Sequence, residues 1–323
     1  MRRTHLALAT TLLLAAQGCA DNPRGDLQVD LEMPGQVAGN ELVTARVTIT
    51  NASDHAVSLL SWTLPDTDLQ EPLFALTRDG QPVRYTGPMY KRAQPDASDY
   101  ITIAPGATLS RSVDLAKFYD VSVTGNYTVE LAIEQSSSVV SSRIEGHVKL
   151  AAPKPPRDSC TADQHAQINA AFPFAQAYAN DARDYLAKAP SATQRYTTWF
   201  GAFAPSGWDT AHTHFVAIAN AFATQTFTFD CKCSQKNVYA YVNPSVPYQI
   251  TLCGAFWTAP TDGTDSKAGT LVHETSHFTT TASTDDWAYG KTNCMSLAQT
   301  DPTKALDNAD SHEYFAENNP AQP

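Results

Sequence analysis

GTLVHETSHFTTTASTDDWAYG, running from Gly269 to Gly290, sets two histidines four residues apart, a glutamate after the first, and two aspartates shortly beyond. On a helix, residues i and i+4 share a face, so His273 and His277 can aim their imidazoles at one metal ion. Glu274 stands beside the first histidine, where its carboxylate reaches a water near the metal rather than the metal itself. That is the position of a general base. The preceding Gly-Thr-Leu-Val is apolar enough to anchor such a helix in a core. A catalytic zinc takes three protein ligands and keeps a fourth position open, so two histidines leave a vacancy. Asp285 and Asp286 follow a short Thr/Ser-rich turn, and either carboxylate can fill it; both can equally well only cap the turn. The bare His-Glu-x-x-His pattern arises by composition in on the order of one chain in a hundred, so it does not decide the matter alone.

His273-Glu274-Thr275-Ser276-His277, followed by Ser283-Thr284-Asp285-Asp286-Trp287-Ala288-Tyr289-Gly290, resembles the aspzincin metallopeptidases, the deuterolysin family, whose second motif reads Gly-Thr-x-Asp-x-x-Tyr-Gly. The resemblance implies one catalytic Zn2+ held by His273, His277 and Asp286, with Glu274 as general base and Tyr289 as oxyanion partner. Ser283 departs from the pattern, standing where the family has Gly. The segments RYTTWFG (195–201), LCGAFWTAPTDGTDSKAGTLVHE (252–274) and NADSHEYFAENNPAQ (308–322) are similar to the peptidyl-Lys branch of that family. There an Asp and a Glu three residues later line the pocket for the side chain after the scissile bond, and they match Asp310 and Glu313. Those two carboxylates share a helix face, and in a closed pocket they favour an ammonium over an apolar side chain by several kcal/mol.

Cysteines other than Cys19 are Cys160, Cys231, Cys233, Cys253 and Cys294. In an exported protein four of them are expected to pair. Cys231 and Cys233 point the same way from one strand, so each is expected to bond elsewhere, and spacing alone leaves several connectivities open. The resemblance implies Cys160–Cys231 and Cys233–Cys253, which leaves Cys294 as a buried free thiol. His212 and His214, two apart, are not expected to share a metal. His312, between Asp310 and Glu313, is expected at the pocket rim, and Trp287 and Tyr314 in the core or pocket wall.

Working outward, TADQHAQINAAFPFAQAYANDARDYLAKA (161–189) has apolar residues at helical spacing, mildly interrupted by Pro173. A second helix is expected over Ala211–Ala223 and a last one over Ala305–Asn318, with strand-like FTFDC, VYAYV and QITLC between them. Three prolines in AAPKPPRDS (151–159) mark an exposed connector. Before it the period is two: Val43, Ala45, Val47 and Ile49 alternate with polar residues, as do Tyr127, Val129, Leu131 and Ile133. About seven to nine short strands at this spacing suggest an immunoglobulin-like sandwich, with Gly125-Asn-Tyr127 resembling its tyrosine corner.

The chain opens with two arginines, an apolar run and small residues before Cys19. Ala-Gln-Gly-Cys is similar to a bacterial lipobox, so the segment is either a lipoprotein signal lipidated at Cys19 or a plain secretory signal. The expected organisation is therefore signal 1–19, all-β propeptide sandwich 20–150, linker 151–158, and an α+β, mainly helical, zincin-type catalytic domain 159–323. A length of 323 residues suits two domains. A net charge of −11 argues against nucleic acid and makes basic peptides plausible substrates. The implied function is a secreted zinc metalloendopeptidase cutting before lysine and made as a zymogen. Its expected partners are lysine-containing proteins and its own propeptide as inhibitor, with membrane contact only through an N-terminal lipid. Self-cleavage before Lys149 or Lys154 in the connector region is a further expectation. Two alternatives stay open: a broader aspzincin endopeptidase, or a surface binding protein with an inert peptidase-like domain.

Overall fold

Thr44–Asn51 carries the alternation that makes a half-buried strand: Ala45, Val47 and Ile49 are fully buried between more accessible threonines and an arginine. The computed structural model describes residues 26–133, 136–147 and 158–323; the signal segment with Cys19, Lys149, and the connector up to Arg157 with Lys154 lie outside the described residues. In chain order the N-terminal strands are β1 (Leu27–Glu32), β2 (Gln36–Val37), β3 (Thr44–Asn51), β4 (Val57–Leu60), β5 (Phe74–Arg78), β6 (Gln81–Val83), β7 (Met89–Arg92), β8 (Tyr100–Ile103), β9 (Thr108–Asp114), β10 (Gly125–Ile133) and β11 (Ser136–Ile144). Among the described residues these eleven strands exceed the expected seven to nine, because short edge pieces such as β2 and β6 carry too few residues to show a period. Sheets ordered β1-β3-β9 and β2-β11-β10-β5-β6 enclose one apolar core that includes Val47, Ile49, Phe74, Tyr127, Val129 and Leu131. Tyr127 Oη donates to the Val123 carbonyl at 2.5 Å, closing a corner before β10.

β7 does not stay with these sheets. It pairs antiparallel with β13 (Val238–Val242), and the four-stranded sheet reads β12-β14-β13-β7, with β12 at Thr228–Asp230 and β14 at Gln249–Leu252. Met89 accordingly belongs to the core of the helical domain. The N-terminal region supplies the edge strand of its neighbour's sheet.

The helices are α1 (Ala162–Leu186), α2 (Gln194–Phe200), α3 (Pro205–Thr224), α4 (Gly254–Thr258), α5 (Lys267–His277), α6 (Lys291–Thr300), α7 (Pro302–Leu306) and α8 (Ala309–Glu317). A capping box of Thr161 and Gln164 starts α1, which runs unbroken through Pro173, where the sequence marks a mild interruption. Its buried stripe of Ala171, Ala175, Ala179 and Ala182 lets α3 and α5 pack closely, and that packing offsets the lost backbone hydrogen bond. α3 begins six residues earlier than expected, with Pro205 preset for a first turn. The last helix is two helices. Asp301 caps α7 through Lys304 N, and the chain breaks at Asp307-Asn308, where Asp285 N–H donates to Asp307 O and Ala309 N–H to Asp285 O. That break turns α8 against α5. Both helices are buried along their whole length, and aromatic residues such as Phe215, Phe278 and Phe315 around them each contribute on the order of 2–3 kcal/mol. Disulfides join Cys160 to Cys231 and Cys233 to Cys253.

Candidate active site

Ser266 caps helix α5, its hydroxyl accepting from Gly269 N–H, and the helix ends at His277. His273 and His277 therefore lie one turn apart, with Nε2 atoms 3.1 Å from each other. Asp286 closes the triangle: Oδ1 is 3.3 Å from His273 Nε2 and Oδ2 is 3.4 Å from His277 Nε2. Two metal bonds of 2.0–2.1 Å at a tetrahedral angle separate their donor atoms by about 3.3 Å, so the spacing matches one zinc.

The outer nitrogens of the two rings face different oxygens. His277 Nδ1 donates to the Thr284 carbonyl at 2.8 Å, and His273 Nδ1 faces Asp310 Oδ1 at 2.8 Å. The Thr284 carbonyl thus fixes the proton of His277 on Nδ1, while His273 Nδ1 meets Asp310 as a close ionic contact without hydrogen-bond geometry; the two Nε2 atoms and the Asp286 carboxylate converge, and neither Asp286 oxygen has a hydrogen-bond partner. Burial disfavours an imidazolium at His273, yet Asp286 and the other acids hold its pKa well above the ordinary range. Burial would likewise raise Asp286, but the two histidines hold it far below the usual carboxylate range. The cluster calls for positive charge at its centre. These residues fit a zinc ion.

Glu274 is fully buried, both its oxygens lack a partner, and burial pushes its carboxyl up to about 7 against the pull of the histidines. A carboxyl poised near neutrality suits proton transfer. Asp285 is placed differently: its backbone bridges to Asp307 and Ala309, and it contributes to no clustered triad of metal-type donors among the described residues. Trp287, which was expected in the core or pocket wall, is half exposed, with Nε1 donating to Asp307 and the ring over Lys304. The loop is too short to fold an indole inward, because Asn308 Oδ1 pins the backbone N–H groups of Trp287 and Ala288. Ser283 sits at φ 55°, the left-handed region that glycine adopts without a Cβ penalty. The strain is worth about 1 kcal/mol, partly cancelled by glycine's freedom in the unfolded chain. Ser283→Gly is therefore expected to leave zinc content unchanged and to hold or slightly raise Tm; a loss of several degrees would contradict it.

Asp310 and Glu313 project from one face of α8 beside this cluster. Asp310 Oδ2 accepts from Gly290 N–H at 2.7 Å, so the acid links the histidine, the Tyr289-Gly290 loop and the pocket. Gly269 makes room for α8, because a Cβ there would stand 2.1 Å from Glu317 Oε1 and 2.8 Å from Glu313 Oε1. Glu317 in turn accepts from Asp265 N, Ser266 N and Ser266 Oγ. Tyr314, donating to Asp265, and Tyr239 wall the pocket. His312 does not rim it. Two residues from Asp310 on a helix, it faces the opposite side, where its Nε2 lies 2.9 Å from His214 Nδ1 among Phe200 and Phe215. Cys294 is a buried free thiol, 3.4 Å from Asn308 Nδ2, and burial pushes its pKa up.

The N-terminal region enters the same cleft. Lys91 of β7 is 1% exposed and places Nζ 3.3 Å from Asp310 Oδ1 and 2.5 Å from Glu313 Oε2. Tyr289 Oη donates to Glu71 Oε1 at 3.1 Å. Gly269, Asn308, Glu317, Lys91 and Glu71 carry no recognisable pattern in the sequence; only the i+4 spacing of Glu313 and Glu317 hints that the acidic face continues.

Residues 185–317 match a family described as lysine-specific metallo-endopeptidase, the aspzincins. The chain is 38% identical to an extracellular protease of Aeromonas hydrophila, over all of this chain and 99% of that one. It is 34% identical to a peptidyl-Lys metalloendopeptidase of Grifola frondosa over 98% and 99% of the two chains. A peptidyl-Lys metalloendopeptidase of Pleurotus ostreatus is 55% identical over 50% of this chain and 96% of its own. Among solved structures, a zinc peptidase from Grifola frondosa aligns at 48% identity and TM-score 0.49, covering 51% of this chain and 100% of that one.

Proposed function

The chain belongs to the aspzincin family of lysine-specific metallo-endopeptidases and is a zinc metalloendopeptidase, and from that premise we propose that it cuts proteins on the N-terminal side of lysine, through the residues assembled around α5 and α8. His273, His277 and Asp286 would hold the zinc ion, which when bound would supply Lewis acidity to the attacking water and the scissile carbonyl. Glu274 takes the proton from the attacking water and delivers it to the departing amine. The Tyr289 hydroxyl donates to the carbonyl oxygen as charge develops there. Asp310 orients His273 through Nδ1, as a carboxylate behind a metal-bound histidine does, and with Glu313 it receives the lysine ammonium.

The observation that carries the specificity is the fit of an ammonium between Asp310 and Glu313, with tyrosines on either side. An apolar side chain there would leave two buried carboxylates uncompensated, at a cost of several kcal/mol. Glu313→Gln tests the pocket, because Asp310 still faces His273: kcat/KM on lysine substrates is expected to fall about 10- to 100-fold with zinc content unchanged. An unaltered preference for lysine would overturn this role of Glu313.

In this reading residues 20–150 are an immunoglobulin-like propeptide, joined by the linker 151–158 to the catalytic domain 159–323. The two-sheet core and the Tyr127–Val123 corner support the first assignment. Secretion fits the two disulfides and the extracellular relative, and no helix among the described residues is long and apolar enough to cross a membrane. A lipid on Cys19 would tether the precursor.

A further inference from the structure

We infer that the N-terminal domain blocks the catalytic cleft by imitating a substrate: β7 lies along β13 as a substrate strand would, Lys91 fills the lysine pocket, and Glu71 occupies the hydroxyl of Tyr289. The inference rests on the proposed specificity of that pocket and adds the device that keeps it closed.

Four observations converge. First, β13 pairs with β14 on one side and β7 on the other, so without β7 its edge is open to an extended peptide. In the observed register Tyr90 stands opposite Tyr241, with rings 4.8 Å apart, and Lys91 opposite Ala240. Second, a lysine buried to this degree needs paired charges, and Lys91 finds Asp310 and Glu313, with Tyr239 and Tyr314 around its ammonium. Third, an enzyme that cuts before lysine would read Tyr90–Lys91 as its scissile bond, yet the Tyr289 hydroxyl is turned to Glu71 and is not free to stabilise an oxyanion at that bond. The strand is held, not turned over. Fourth, Arg92 braces the plug from the N-terminal side, with Nη2 donating to Gln70 at 2.5 Å and its guanidinium stacked between Trp62 and Tyr90. The two contacts with the active site come from separate segments of one domain, and Arg92 with Gln70 ties those segments together.

Occupancy can be read without catalysis. In the full-length, uncut chain carrying Glu274→Gln to prevent self-processing, lysines are acylated with an amine-reactive reagent and located by mass spectrometry. Lys91 is expected to react at least roughly 100-fold more slowly than exposed Lys188 and Lys304, since reaction requires local opening. Reaction at a comparable rate would overturn the plug. In the same background Lys91→Ala should lower the melting temperature, and n-butylammonium, an alkylammonium of lysine side-chain length, should restore part of it, whereas n-butanol should not. The Lys91 chain should respond to neither. Equal responses of the two chains to n-butylammonium, or none in the variant, would count against Lys91 as the occupant. If Lys91→Ala does not fold, the acylation pattern of the Lys91 chain still decides. Failure of the specificity reading would appear elsewhere, in the cleavage products of the separated catalytic domain. A domain that cuts before lysine, in a precursor whose Lys91 is freely acylated, overturns this inference alone.

Discussion

Replacing Asp286 with alanine is expected to weaken zinc binding by at least about 100-fold and to abolish peptide hydrolysis, because it removes one of three donors and leaves two imidazoles facing an open side. The neighbouring Asp285→Asn should keep zinc and most activity. Asp285 acts on the fold through its backbone N–H and carbonyl, which bridge to Asp307 and Ala309, and an asparagine preserves both. Its buried carboxyl, pushed up to about 6 by burial and by Asp307, loses little by becoming a neutral amide. Metal analysis and a peptidase assay on the two variants provide the comparison. Equal zinc loss in both would mean that the loop, rather than the Asp286 carboxylate, completes the site.

Glu274→Gln should produce the opposite pattern, with full zinc content and kcat lowered by about 100- to 10,000-fold. Glutamine has nearly the same shape, and the glutamate oxygens make no hydrogen bond that the fold relies on, so the melting temperature should change little. What disappears is the proton acceptor. The same variant addresses maturation: self-cleavage near Lys149 or Lys154 predicts that purified Glu274→Gln precursor stays uncut. Maturation at an unchanged rate when it is expressed alone would assign processing to another protease.

Much of this site can be read from one stretch because helical periodicity and metal chemistry are both local. His273, Glu274 and His277 need only one helix, and Thr284 to Tyr289 follow within a short return loop. Period-two alternation likewise reveals β3 and β10, whose buried residues are the ones that alternate. Less local features do not show. The split between α7 and α8 depends on hydrogen bonds to Asp285, more than 20 residues earlier, and the continuity of α1 through Pro173 depends on packing against α3 and α5. His312 illustrates a subtler limit: adjacency in sequence to Asp310 and Glu313 suggested the pocket, while helix geometry sends it to the far side. β7 is the clearest case. Met-Tyr-Lys-Arg has no strand period long enough to notice, and its partner β13 lies about 150 residues away in the sequence.

The most direct measurement is to digest a denatured protein of known sequence with the separated catalytic domain, with and without a zinc chelator, and to sequence every new N-terminus. New termini that are uniformly lysine, appearing only without chelator, are the predicted result. Termini of mixed identity would contradict the lysine pocket at Asp310 and Glu313, and cleavage that persists in chelator would contradict the zinc site itself.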